Sequence, residues 1–187
     1  GCRRYTPVPI LGKMFRHLAE QSRALVCPHI DHAYTLDECR EGIDHGFSSV
    51  MIDGSKLPID DNIALTNQVV QIAKPHGISV EGEVGFVGYT SGAAGRMTDP
   101  LEAQRFDRES GADALAVSVG NVHLNTEKTS GIDLEALRVA GIADAGTRGL
   151  HLDQLEASLD CEAGHLDRER RRSQDAVHEI AALDEFG

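Results

Sequence analysis

Short aliphatic runs alternate with amphipathic stretches between residues 10 and 139. Ile10, Leu11, Met14, Phe15, Leu18 and Ala19 recur at helical spacing and predict a helix to about Arg23. Residues 24–30 predict a short buried strand. Leu36, Cys39, Ile43 and Phe47 mark a second helix that ends at Gly46. A second strand over 48–52 leads into Asp53-Gly54-Ser55. Ile63, Leu65, Val69, Val70 and Ile72 outline a third helix, with Asp60 and Asp61 as capping residues and Pro75 with Gly77 closing it. Residues 78–84 predict a third strand, and a long Gly-rich loop covers 85–95. Asp99-Pro100-Leu101-Glu102 is a helix start with its cap, its proline and its first-turn acid in order, and Gly111 stops that helix. Residues 114–119 predict a fourth strand, followed by Gly120-Asn121-Val122-His123. Asp133 opens a last helix through Leu134, Leu137 and Val139.

Strand and helix thus alternate with a period of about thirty residues, which indicates βα units around a parallel sheet. Polar candidates stand at each strand's C-terminal end: Asp31 and His32, Asp53, Glu81 and Glu83, and His123. Parallel α/β folds place their sites at that edge. A bland reading, a set of solvated strand ends, fits any one of these positions but poorly fits four in succession. The aliphatic pattern stops near residue 140. Residues 1–140 therefore read as the α/β domain, and 141–187 as an atypical polar tail whose origin lies outside the fold. No convincing strand is predicted in that tail; Leu150-His151-Leu152 comes nearest. Val177, Ile180, Ala181 and Leu183 predict a helix over 173–186.

Composition narrows the function. A net charge of −12 argues against general binding of nucleic acid or anionic membranes. No apolar run reaches membrane-spanning length. Arg3-Arg4 precedes only short, proline-broken apolar stretches, so no signal peptide is predicted. Cys2, Cys27, Cys39 and Cys161 show no CxxC spacing and read as reduced thiols of a cytoplasmic protein. Aromatics are 4% of the chain and Trp is absent, so the core must be aliphatic.

His32 and His123 suit a divalent metal, which could polarise a carbonyl. Asp31, beside one ligand, could then move a proton. Asp53 and Glu83 are hard oxygen ligands for a second or displaced ion. Strand alternation would place His32 with Ile30, and Asp31 with His29, unless the strand end twists. A zinc site of Cys27, His29 and Cys39 is a further, weaker arrangement. The loop over 85–95 could cover a site or be an ordinary flexible loop. The spacing of Gly82, Gly85 and Gly88 does not match a dinucleotide fingerprint. No Lys stands at a strand end, which disfavours Schiff-base chemistry.

His29-Ile30-Asp31-His32-Ala33, Gly46-Phe47-Ser48-Ser49-Val50-Met51-Ile52-Asp53-Gly54-Ser55, Ser79-Val80-Glu81-Gly82-Glu83-Val84-Gly85 and Gly111-Ala112-Asp113-Ala114-Leu115-Ala116-Val117-Ser118-Val119-Gly120 together resemble the class II, zinc-dependent ketose-bisphosphate aldolases. The resemblance covers about residues 10–139. It implies a (β/α)8 TIM barrel of which about four central βα units are present, with the first two strands missing upstream of Thr6. It implies a lyase that cleaves a ketose 1,6-bisphosphate, such as fructose 1,6-bisphosphate, to dihydroxyacetone phosphate and an aldehyde phosphate. Zinc (Zn2+) would stabilise the enediolate, with a second divalent ion as an option. By the same resemblance Asp31 is the acid/base, and His32 and His123 are zinc ligands. Asp53 and Glu83 hold a second or displaced metal. The partner is a sugar phosphate, and the family forms homodimers or homotetramers.

Several positions depart from the family pattern. Pro28 replaces an aliphatic residue, and Tyr89-Thr90-Ser91 stands where the mobile loop carries acids. The third zinc histidine normally opens a His-Gly-Gly-Ser-Gly segment that also binds phosphate. Here His151 falls near the expected spacing, but Leu152-Asp153-Gln154 follows it. The later Asn-x-Asp-Thr phosphate segment has no counterpart. The alternative expectation is therefore a truncated or degenerate aldolase relative that keeps weak metal binding or partner association without catalysis. A different metal-dependent lyase or isomerase on the same scaffold is a third.

Overall fold

The computed structural model describes residues 3, 5–89, 95–123, 132–139 and 149–151. In chain order these form α1 (Val8–Gln21), β1 (His29–Ala33), α2 (Leu36–Asp44), β2 (Ser49–Ile52) and α3 (Ile59–Ala73). Then come β3 (Ser79–Val84), β4 (Gly88–Tyr89), α4 (Pro100–Ser110), β5 (Ala114–Val117), β6 (Val122–His123), α5 (Leu134–Val139) and β7 (Gly149–His151). Strands β1, β2, β3, β5 and β7 pair in that order, all parallel. Each successive strand thus joins the same edge of the sheet after a helical crossover. That is the winding of a (β/α)8 barrel, seen here as an arc of it.

Local chemistry explains most element boundaries. Thr35 and Glu38 form a reciprocal capping box at the start of α2. Asp99 accepts from the backbone of Leu101 and Glu102, Pro100 takes the first position of α4, and Gly111 closes it at a φ of 71°. Asp133 Oδ1 accepts from Ala136 N at 2.8 Å and caps α5. Helix α3 differs from expectation: it begins after Pro58, and Asp60 and Asp61 lie in its first turn without capping it. There they complement the helix dipole.

The core lies between sheet and helices. Ile30, Val50, Ile52 and Val80 pack against Val8, Leu11, Cys39, Ile43 and Val69. Val84, Leu115 and Val117 pack against Ile63, Ala103 and Phe106. The approach is close: a Cβ at Gly82 would lie 2.4 Å from Phe106 Cζ.

Two strands correct the sequence reading. The strand predicted over 24–30 forms instead at His29–Ala33, and Leu25 is 78% exposed. Pro28 has no N–H for a ladder, while its carbonyl accepts from Ser48 N and Ser49 N, so regular pairing begins after it. Past residue 140, where no convincing strand was expected, β7 pairs with β5 through Ala114 and Gly149, Leu115 and Leu150, and Ala116 and His151. The helix expected over 173–186 lies outside the described residues.

Beyond β3 the chain crosses to a small parallel pair, β4 with β6. Thr98 anchors its base: its hydroxyl donates to Val84 O and accepts from Ser118 N at 2.7 Å. Phe86 and Arg96 bridge antiparallel across the Gly-rich loop. Positions 90–94 of that loop, read as either a cover or an ordinary flexible loop, lie outside the described residues. Among the described residues no helix is long and apolar enough to cross a membrane.

Candidate metal centre

Strand β1 carries one extra residue. Ile30 pairs with Val50 and Ala33 with Ile52, so three steps on β1 span two on β2. This is a β-bulge, and His32 sits in it at a φ of 48°, in the left-handed region. The consequence reverses the expected alternation. Ile30 and Ala33 are both buried in the helix-side core, and His29 and His32 share the opposite face. On β3, Glu81 and Glu83 are two residues apart and project to that same face.

His32 Nδ1 lies 3.0 Å from Asp53 Oδ2 and 3.7 Å from Glu83 Oε2; His32 Nε2 lies 3.8 Å from Asp31 Oδ1. The Asp53 and Glu83 side chains are almost wholly buried, and that of Asp31 is 72% exposed. Burial pushes the Asp53 carboxyl up. Hydrogen bonds from His32 and Ser55 outweigh it and lower the pKa to about 2. Ser55 supplies its hydroxyl at 2.6 Å and its backbone N–H at 3.1 Å. An ionised Asp53 only accepts, so His32 Nδ1 carries the proton of the bond. In the neutral imidazole Nε2 then presents its lone pair on the side of Asp31.

Packing fixes these positions. Asp53 N donates to Ala33 O at 2.7 Å, joining the end of β2 to the end of β1. A Cβ at Gly54 would lie 2.2 Å from Asn62 Oδ1, so glycine alone admits the close approach of α3. Asn62 Nδ2 in turn donates to Glu83 O at 2.8 Å. One helix residue therefore braces the turn after Asp53 and the strand at Glu83.

A second polar layer lies beside the first. His29 Nδ1 is 2.9 Å from Ser49 Oγ, and His29 Nε2 is 3.7 Å from Glu81 Oε2. The sequence marked His29 and Glu81 singly and missed Ser49, which stands opposite His29 in the regular register of β1 with β2.

The structure brings together Asp31, His32, Asp53 and Glu83. Ligand-type atoms of His32, Asp53 and Glu83 all lie within 4.8 Å of one another, the one such group among the described residues. One imidazole and two carboxylates are a donor set that fits a divalent cation. His123 lies on β6 opposite Tyr89, off the main sheet, and His151 aligns in backbone register with Ala116 and Glu83. Their side chains lie outside the description. Cys27, His29 and Cys39 do not converge: Cys39 is buried in the helix-side core, away from the face of His29. Arg3, which sequence reasoning missed, donates through Nη2 to Asp31 O at 2.6 Å and to His32 O at 2.8 Å.

Fold and site together define a (β/α)8-type protein with a candidate metal centre at its strand ends. The chain belongs to the class II fructose-bisphosphate aldolase family: residues 1–151 match the family described as "Fructose-bisphosphate aldolase class-II". It is 39% identical to the 6-phospho-5-dehydro-2-deoxy-D-gluconate aldolase of Bacillus subtilis (strain 168), over 70% of this chain and 48% of that protein. It is 37% identical to the fructose-bisphosphate aldolase of Giardia intestinalis, over 77% of this chain and 46% of that one. The crystal structure of the YdjI aldolase from Escherichia coli K12 is similar with a TM-score of 0.66 at 28% identity, covering 81% of this chain and 52% of that one. The chain thus spans about half the length of the curated relatives it matches.

Proposed function

We propose that this chain contributes the metal and proton-transfer half of an aldolase acting on a phosphorylated keto-sugar. The observation that carries this reading is His32 held between Asp53 and Glu83, with Asp31 beside its Nε2. The substrate class follows the relatives' names: fructose bisphosphate for the Giardia protein, 6-phospho-5-dehydro-2-deoxy-D-gluconate for the Bacillus protein.

His32 would hold a divalent ion, zinc in the first instance, with His123 and His151 as further ligands. When bound, such an ion supplies Lewis-acid polarisation of the substrate ketone. Asp31, exposed at the mouth, takes the proton from the substrate hydroxyl as the carbon–carbon bond breaks and returns it in the reverse direction. Asp53 fixes the tautomer and orientation of His32. Glu83, 3.7 Å from His32 Nδ1, serves with Asp53 a displaced or second ion. Under this reading the enzyme works in the cytoplasm as a homo-oligomer.

The test is cleavage of fructose 1,6-bisphosphate and of 6-phospho-5-dehydro-2-deoxy-D-gluconate by the purified chain, with zinc and with chelator. Zinc-dependent, chelator-sensitive cleavage of one of them is expected. His123→Ala should lower zinc content in mass spectrometry, and unchanged stoichiometry would remove His123 from the site. The second reading, a relative that binds metal without turnover, is favoured by Leu152-Asp153-Gln154 after His151 in place of the phosphate-binding glycines. Zinc bound with neither substrate cleaved would select it.

A further inference from the structure

We propose that Arg3 is a positioning residue that selects the bulged conformation of β1 and thereby sets His32 into the metal centre. In an extended strand, consecutive carbonyls point to opposite sides. Arg3 Nη2 nevertheless donates to both Asp31 O, at 2.6 Å, and His32 O, at 2.8 Å. One nitrogen can bridge two consecutive carbonyls only where the backbone has left the extended form. The left-handed φ of 48° at His32 supplies that departure.

The bridging contact therefore exists in the bulged state and is broken in the regular one. A group with such differential contacts shifts the population toward the state it prefers. The bulged state is also the state in which His32 shares a face with His29 and points at Asp53 and Glu83. A regular strand would turn His32 to the face of Ile30. Arg3 touches neither the Asp53 nor the Glu83 carboxylate among the contacts of the described residues. It acts through the backbone of the residues that do the chemistry.

The part of this inference that concerns metal rests on the proposed metal centre, and the experiment separates the two. Wild type, Arg3→Met and Arg3→Lys are compared in two measurements. In metal-free protein, histidine-selective 1H–15N NMR should show His32 with a single Nδ1-protonated signature in the wild type. That signature should average toward a mixture in Arg3→Met and return in part in Arg3→Lys, which keeps the charge and a donor. In calorimetric titration with cobalt(II) chloride, Arg3→Met should bind about tenfold more weakly, the low end for loss of a ligand-orienting group. Identical His32 spectra in wild type and Arg3→Met would overturn the proposal, as would equal cobalt affinity. A wild type that binds no cobalt would end the metal-centre reading, while the NMR comparison would still decide the role of Arg3. Should Arg3→Met lose its folded amide dispersion, Arg3→Lys with an unshifted His32 signature and unchanged affinity would equally overturn it.

Discussion

His32 Nδ1 and Asp53 Oδ2 lie 3.0 Å apart, although their strands are separated by the whole of α2. The bond joins a left-handed residue on one strand end to an acid braced by Ser55 on the next.

This pair should be visible in acid unfolding. The Asp53 carboxyl is held at about 2, below its ordinary value of 3.8. Its bonded, ionised form therefore stabilises the fold above pH 4, and that contribution is lost as the pH falls through 2. Asp53→Asn should unfold more easily than wild type in urea at pH 5, and the difference should narrow toward pH 2.5. A constant gap would show that ionisation of Asp53 contributes nothing.

Asp31→Ala should leave stability within about 0.5 kcal/mol of wild type, since the side chain is largely exposed. Metal stoichiometry should also be retained. Turnover should fall by about 10²–10⁴, the usual weight of a general acid or base. Loss of bound metal in this variant would make Asp31 a ligand instead.

The cysteines should separate by reactivity. Burial, with a further push from Glu38, raises the Cys39 thiol to about 12 despite the opposing charge of Arg3. Cys39 is buried and Cys27 exposed. The thiolate is the nucleophile, so brief iodoacetamide treatment of native protein at pH 8 should alkylate Cys27 and spare Cys39. Peptide mapping by mass spectrometry reads both sites, and equal labelling would contradict the burial of Cys39.

Gly82→Ala should destabilise by about 1–3 kcal/mol, because the new methyl must displace the Phe106 ring. Phe106→Leu in the same chain should recover part of that loss. Urea midpoints of the single and double variants measure the coupling; simple additivity would show that the two positions do not touch.

Much of this architecture is legible in the sequence because its signals are local. Asp99-Pro100 and Gly111 bound α4 through contacts within one helical turn, and the period-two spacing of Glu81 and Glu83 survives folding unchanged. Strand β1 was misplaced because Leu25 and Val26 look like core, yet only pairing after Pro28 gives the chain a ladder. Strand β7 is three residues long and has no pattern of its own; β5 defines it by pairing. The site was half legible. Residue types at strand ends named Asp31, His32, Asp53 and Glu83, but their convergence depends on the bulge and on Asn62, which leave no periodic trace. Arg3 carries no signal at all, since its role lies in two backbone carbonyls far along the chain.

The bulge gives Asp31 an unusual standing. Remove that one position from β1, and His29, Ile30, His32 and Ala33 would follow the ordinary inside–outside alternation of a strand. The sheet has no use for residue 31; neither core nor ladder asks anything of its side chain. Evolution can therefore vary the acid at that position without renegotiating the fold, and the reaction chemistry of such a barrel can change at a residue its architecture treats as spare.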